Sequence, residues 1–215
     1  MRGIKTVAGG SSRILDPVRD YYTKKVEEHG PVFRGVDWNS AESQELRFEQ
    51  LLRVCERNKR FSINDYGCGY GGLYRYMKGK GFSFDYHGLD VSGAMIKEAR
   101  KAFGRRPNAS FRVGGSTDVV ADYTVASGIF NVRLGHSKTA WLRYILKTVR
   151  DMDRVSRLGF SFNCLTRYSD REYMKGYLYY ADPCYLFDYC KRRFSKSVAL
   201  LHDYGLYEFT MVVRK

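Results

Sequence analysis

The chain has 215 residues and a mass of 24.9 kDa, with 44% hydrophobic and 15% aromatic residues. That composition fits one sizeable globular α/β domain and excludes a disordered or fibrous chain. Its 37 Lys and Arg against 23 Asp and Glu leave a net charge of +14, which favours a negatively charged partner. Five scattered cysteines form no CxxC pair, and four histidines lack metal-ligand spacing, so a reducing compartment and no bound metal are expected. No apolar run is long enough to span a bilayer, and no basic-then-apolar signal segment opens the chain. The expected location is cytoplasmic.

In chain order, a helix is expected around Val18 to Glu28, stopped by His29-Gly30-Pro31. Asn39 with Glu42 three residues later has capping-box spacing, and a helix through Cys55 puts Phe48, Leu51, Leu52 and Cys55 on one face. Residues 1–56 are therefore read as a helical cap, and 57–215 as the main domain. Strands are expected at Phe61–Tyr66, Ser83–Asp90, Ser110–Val113, Tyr123–Phe130 and Gly159–Cys164. Between them lie helices near Tyr70–Lys80, from the N-cap Ser92 to Gly104, and along the stripe Trp141, Leu142, Ile145, Leu146, Val149 and Met152. This alternation predicts a doubly wound, mostly parallel sheet with helices on both faces. After a helix around Pro183–Phe194, the strands Ser197–His202 and Leu206–Arg214 are separated only by Asp203-Tyr204-Gly205. A connection that short forces an antiparallel hairpin, giving seven strands in all.

The segment from Asp65 through Gly67, Gly69, Gly71 and Gly72 carries the chemistry. Glycine at alternate positions, between a strand and a helix N-terminus, leaves backbone uncovered for an adenosine-type ligand. The spacing also satisfies the dinucleotide fingerprint, with Asp90 where a ribose-binding acid would sit. Asp65 at the strand tip argues the other way: it suits a cationic amino group and is a poor neighbour for two phosphates. Asp65-Tyr66-Gly67-Cys68-Gly69-Tyr70-Gly71, then Gly88-Leu89-Asp90-Val91-Ser92, then Asp122 to Gly128, together resemble the class I S-adenosylmethionine-dependent methyltransferases. The likeness runs from about residue 61 to 164, and the terminal hairpin is similar to that family's reversed last strand.

The resemblance implies S-adenosyl-L-methionine as cofactor and S-adenosyl-L-homocysteine as product. It implies that Asp65 and the amides of Gly67 and Gly69, with Cys68 and Gly71 in the same turn, hold the methionine part. Asp90 would take both ribose hydroxyls, Val91 would lie beside the adenine, and Met95 would pack on it. The family often has an acid after strand three; Gly114-Gly115-Ser116 stands there instead, with Asp118 later. Ser127 and Gly128 would line the transfer face, and Tyr21, Trp38 and Arg47 of the cap would close over the cofactor.

For the acceptor, His136 is the first candidate general base, since an imidazole can take a proton near neutral pH; His29 is second. Arg133, Arg167 and Arg34 could clamp an anionic group. Tyr168, Tyr173, Tyr177, Tyr179 and Tyr180 could wall a pocket or simply pack a lid. The expected activity is in-line methyl transfer to a small, anionic metabolite, with O-methylation favoured. Nucleic-acid methylation and a non-catalytic cofactor-binding partner protein remain as alternatives. Strand four ends in Ser127-Gly128-Ile129, without the Asn/Asp-Pro-Pro-aromatic motif of exocyclic-amine methylation, and no RNA-binding module is appended.

Overall fold

A computed structural model describes residues 12–215; any part the first eleven residues play in the cap lies outside it. Seven strands form one sheet in the order β3-β2-β1-β4-β5-β7-β6. They are β1 Phe61–Tyr66, β2 Phe84–Asp90, β3 Ala109–Val113, β4 Ala121–Ala126, β5 Ser156–Leu165, β6 Ser197–Leu201 and β7 Glu208–Arg214. The first five pair in parallel, whereas β7 runs antiparallel between β5 and β6. The doubly wound, mostly parallel sheet with a terminal antiparallel hairpin is therefore the architecture observed.

The helices are α1 Ser12–His29, α2 Ala41–Leu51, α3 Gly72–Gly79, α4 Gly93–Phe103, α5 Lys138–Arg154 and α6 Pro183–Arg193. Two apolar layers hold them on the sheet. On one face Trp141, Ile145, Val149 and Met152 of α5 and Leu186 and Cys190 of α6 meet Phe160, Phe162, Met211 and Val213. On the other face Leu73 and Met77 of α3, Ile96 of α4 and Phe48 of α2 meet Ile63, Val125 and Val212. Val212 and its neighbours Met211 and Val213 thus serve opposite layers, as the two-residue period of a strand requires. Among the described residues, no helix is long and apolar enough to cross a membrane.

Two local expectations shift. The capping box of α2 is built by Ser40 and Ser43, one residue beyond Asn39 and Glu42: the Ser43 amide donates to Ser40 Oγ at 3.1 Å, and the Ser40 amide returns to Ser43 Oγ at 3.3 Å. The strand expected to run to Phe130 stops at Ala126, because Gly128 turns the chain with φ +75°. That early stop opens the end of β4 toward the cap.

Candidate functional site

β1 carries Asp65 and β2 carries Asp90 to the carboxyl edge of the sheet, and the glycine turn closes between them. The amides of Gly67 and Cys68 both donate to the carbonyl of Leu89, at 2.7 and 2.9 Å. The Gly69 amide donates to Asp90 Oδ2 at 2.9 Å, and the Ser92 amide to Asp90 Oδ1 at 2.8 Å. The Gly67 and Gly69 amides expected to serve a ligand are therefore already engaged within the protein. The turn supplies a shape rather than free donors. At Gly67 (φ +75°) a Cβ would come within 2.2 Å of Ile129 Cγ2, and at Gly71 (φ +85°) within 2.9 Å of Phe103 Cδ2. No other residue fits either position without displacing its neighbour.

Asp65 is buried at the sheet edge, and Asp90 beside it is half-buried and opens into the cavity. Burial pushes Asp65 up to about 7; a hydrogen bond from the Tyr86 hydroxyl opposes the shift, and the nearby Asp90 charge adds to it. Burial likewise raises Asp90 to about 6, against the two amide donors. Two desolvated acids with no basic partner among the described residues are arranged to receive positive charge or hydroxyl donors.

These acids line a partly open cavity with Tyr66, Cys68, Gly69, Leu89, Val91, Gly114, Gly115, Ser127 and Gly128. Ser127 Oγ is buried there without a hydrogen-bond partner. The cap closes the opposite side: Leu15, Val18 and Tyr22 come from α1, Val36 and Trp38 from the following turn, and Gln44 and Phe48 from α2. A Cβ at Gly128 would lie 2.6 and 2.7 Å from Cζ2 and Cη2 of Trp38, so the indole rests directly on the end of β4. A second cleft, of about 700 Å³, adjoins this cavity and shares Tyr22, Val36 and Trp38 with it. Its other walls include Lys25, His29, Arg34, Asp37, Arg47, Glu208 and the tyrosines Tyr173, Tyr177, Tyr180 and Tyr207.

Of the residues expected to bind the cofactor, Asp65, Gly67, Cys68, Gly69, Asp90, Val91, Ser127, Gly128 and Trp38 line the first cavity. Gly71 shapes the turn but Gly72 takes its place in the lining, and Gly114 and Gly115 replace Ser116. Met95 is buried in a small cluster with Val26 and Tyr70 and does not reach the lining. Tyr21 stands behind the wall and donates to Asp37, which also binds Lys25 at 2.7 Å. Arg47 lines the second cleft, not the first, stacked 4.0 Å over the Trp38 ring.

The expected base and clamps fall elsewhere. His136 lines neither cavity; its ring lies parallel to that of Trp141, with centroids 6.0 Å apart. Arg133 is spent on backbone carbonyls: Leu178 at 3.2 Å, His136 at 2.6 Å, Leu134 at 3.4 Å and Gly176. It staples the tyrosine-bearing segment to the loop after β4. Arg167 is exposed and pairs with Asp182 at 2.6 Å. Tyr168 is exposed beside His202, and Tyr179 packs on the core; Tyr180 alone of these three lines the second cleft.

Sequence reasoning missed Tyr22, Asn131, Asn163 and Glu208. Asn163 lies in the otherwise apolar Gly159–Cys164 run, and Asn131 and Glu208 at the margins of elements. An amide inside a core strand is the one visible signal among them, because buried polar groups need dedicated partners.

Comparison with known proteins fixes the family. A methyltransferase-domain family model matches residues 63–156. A Mycobacterium tuberculosis protein, "Putative methyltransferase Rv1506c", is 57% identical over 164 residues, covering 76% of this chain and 99% of that protein. The chain belongs to the class I S-adenosylmethionine-dependent methyltransferases. Solved structures of similar fold include magnesium protoporphyrin IX methyltransferase from Synechocystis PCC 6803 with bound S-adenosylhomocysteine, at a TM-score of 0.65 and 12% identity, covering 93% of this chain and 98% of that one. The complex of DhpI with S-adenosylmethionine gives a TM-score of 0.65 and 16% identity, covering 98% of this chain and 100% of that one. The cofactor of this methyltransferase is S-adenosylmethionine. The residues present suit it: a side-chain-free turn for close approach, two uncompensated carboxylates for a cationic ligand, and an unpartnered hydroxyl at Ser127.

Proposed function

We propose that this methyltransferase alkylates a hydroxyl of a small, anionic acceptor seated in the second cleft. One observation supports the reading: two cavities meet at a common wall of Tyr22, Val36 and Trp38, and the second is lined by tyrosines and by more basic side chains (Lys25, Arg34, Arg47, Lys175 and His29) than carboxylates (Asp37, Glu172 and Glu208). Arg34 and Lys175 face the second cleft with no carboxylate partner among the described residues, and they would hold the acceptor's negative group. Tyrosine rings give it apolar walls with polar tips. Residues 12–56 act as the cap that brings the two cavities together.

In the donor cavity, Asp90 accepts from the ribose hydroxyls, Asp65 faces the amino group, Val91 bounds the adenine, and Ser127 and Gly128 line the transfer face. When bound, the sulfonium supplies an electrophilic methyl group whose departure needs no protonation. The protein's work is to hold the acceptor oxygen in line with that carbon and exclude water. As the new C–O bond forms, the C–S bond breaks with its electron pair on sulfur, and the hydroxyl proton must leave. His29 is the imidazole that lines the cleft and takes that proton; His136 has no access to it. Tyr22 is held neutral: burial raises its phenol far above the usual range, with Asp37, Asp90 and Glu208 adding to the shift. It serves as a hydrogen-bond donor at the junction, not as a base. The reaction suits a cytoplasmic enzyme supplied with the cofactor there.

Labelled methyl transfer from S-adenosylmethionine to a panel of phosphorylated and carboxylated hydroxy-metabolites tests the proposal. Turnover should concentrate among the anionic members and fall when Arg34 is changed to Ala. Transfer to RNA or DNA in place of every small molecule would overturn it, as would salt-sensitive nucleic-acid binding that competes with turnover.

A further inference from the structure

The wall between the two cavities is braced from a residue that touches neither the glycine turn nor Asp90. Glu208 begins β7, and its side chain is 1% exposed. Its Oε2 accepts from Arg47 Nε at 2.9 Å and from Asn163 Nδ2 at 3.1 Å, and its Oε1 accepts from Asn131 Nδ2 at 3.2 Å. Each partner continues to a different surface. The Arg47 guanidinium, also bound to the Ser43 carbonyl at 2.7 Å, stacks at 4.0 Å on Trp38, the roof over Gly128. Asn163 Oδ1 accepts from the Gly128 amide at 2.7 Å, which sets the floor beneath that indole. Asn131 Oδ1 accepts from the Leu165 amide at 3.0 Å, and the Asn131 carbonyl accepts from the Tyr179 amide at 2.7 Å, so it joins β5 to the tyrosine-bearing segment.

We propose that Glu208 is the positioning residue of the transfer passage, fixing from the acceptor side how the Trp38 indole seats on Gly128 in the wall shared by the two cavities. The proposal rests on the assignment of the two cavities and goes beyond it: one carboxylate in the acceptor cleft fixes two walls of the donor cavity. Stability alone is a weak reason for a buried ion pair, since well-packed apolar residues often do as well. A carboxylate that divides its oxygens among a cap arginine and two amides explains why a charge is used here. Its four lone-pair sites are what three donors from three elements require.

The chain has only two tryptophans. Trp141 is fully buried, with its indole N–H donating to the Phe130 carbonyl at 2.7 Å, so emission that responds to the passage comes from Trp38. The test compares wild type, Glu208→Gln, Trp38→Phe and a control, Ser161→Ala, which removes a buried hydroxyl that donates to the Leu51 carbonyl at 2.8 Å. Circular dichroism melts, acrylamide quenching of tryptophan and calorimetry with S-adenosylhomocysteine are read on each. Glu208→Gln should raise quenching of the Trp38 component and weaken S-adenosylhomocysteine by about tenfold, because small misplacements in such sites are costly. Ser161→Ala should lower Tm while leaving both readouts at wild-type values. The proposal is overturned if Glu208→Gln folds with unchanged quenching and affinity, or if the control moves them equally. If Glu208→Gln does not fold, Arg47→Lys gives the same reading, since it keeps the charge but loses the flat stack on Trp38. None of these outcomes depends on the acceptor. Failure here would leave the proposed methyl transfer standing, and failure to find an anionic acceptor would leave this bracing intact.

Discussion

The proposed donor and acceptor sides of this methyltransferase are built by different kinds of contact. On the donor side, the turn, both acids and the end of β4 lie between residues 65 and 128, and each is placed by a short segment running off its own strand. On the acceptor side the defining contacts join distant parts of the chain: Arg47 and Glu208 are 161 residues apart, and Asn131 and Glu208 are 77 apart. The first cavity is thus a local property of strand ends, whereas the geometry of the second cleft is a property of the assembled sheet and cap. The two sides should respond differently to change.

The largest effect is expected at Asp90. Its carboxylate orders the turn through the Gly69 and Ser92 amides and, in the proposed function, would receive the ribose hydroxyls. Asp90→Ala should weaken S-adenosylhomocysteine by about 100-fold, since hydrogen bonds to a charged, half-buried acceptor are lost together. Calorimetry measures this, and a dichroism melt checks that the variant still folds. Unchanged affinity would break the local account of the donor side.

Next comes the turn itself. Gly67→Ala adds a methyl group 2.2 Å from Ile129 Cγ2 on backbone at φ +75°. A cost of about 2 kcal/mol is expected from the strain and the clash with a branched side chain. For a chain of this size that corresponds to a Tm lower by about 5 °C. Gly81→Ala is the informative companion: it has the same sign of φ (+76°) but open space around it, and should cost less. Equal losses would show that backbone conformation, and not the packed turn, sets the penalty.

How far the sequence reveals each side follows from the same contrast. Asp65, Gly67, Asp90, Val91 and Gly128 are legible because fixed spacing from a strand end determines where they lie. The terminal hairpin is legible too, since the six residues between β6 and β7 are too few for a parallel crossover and leave only an antiparallel pairing. His136 and Arg133 illustrate the limit. Both follow β4 at a plausible distance, yet the chain turns at Gly128 and folds Arg133 onto carbonyls of the segment carrying Tyr177. Nothing within a few residues of either position encodes that turn of events. The Arg47–Glu208 pair is illegible for the same reason, as neither residue's neighbourhood points to the other.

A smaller effect separates the sides by pH. The unfolded chain ionises Asp65 and Asp90 near pH 4, whereas burial holds them to about 7 and about 6 in the folded protein. Between those values the folded state carries more protons, so the stability of the cofactor-free protein should fall as pH rises from about 4 to 7. Affinity for S-adenosylhomocysteine should change in the opposite sense, because its cationic amino group favours the ionised acids. Binding at pH 6.5 should therefore release protons, detectable as heats that differ between buffers of different ionisation enthalpy. Asp65→Asn should flatten the upper part of this profile and leave the acceptor cleft unaffected.

The smallest effect is expected at Arg167, and it sharpens the contrast most economically. The arginine follows β5, where a clamp for the acceptor was expected, but it points to solvent and meets Asp182 at 2.6 Å with both side chains substantially exposed. Asp182 has separate work: its Oδ1 accepts from the amides of Cys184 and Tyr185 and caps α6. The Tyr185 amide bond, first among the causes that hold its carboxyl below the usual range, persists without the arginine. Arg167→Ala should therefore leave Tm, S-adenosylhomocysteine affinity and acceptor turnover near wild-type values, since an exposed pair is screened by water and salt. Arg34→Ala, in the cleft, should leave the first two unchanged and reduce turnover of an anionic acceptor. If instead Arg167→Ala reduces that turnover and Arg34→Ala does not, the acceptor's negative group lies at the outer end of β5, and the cleft must be redrawn around α6.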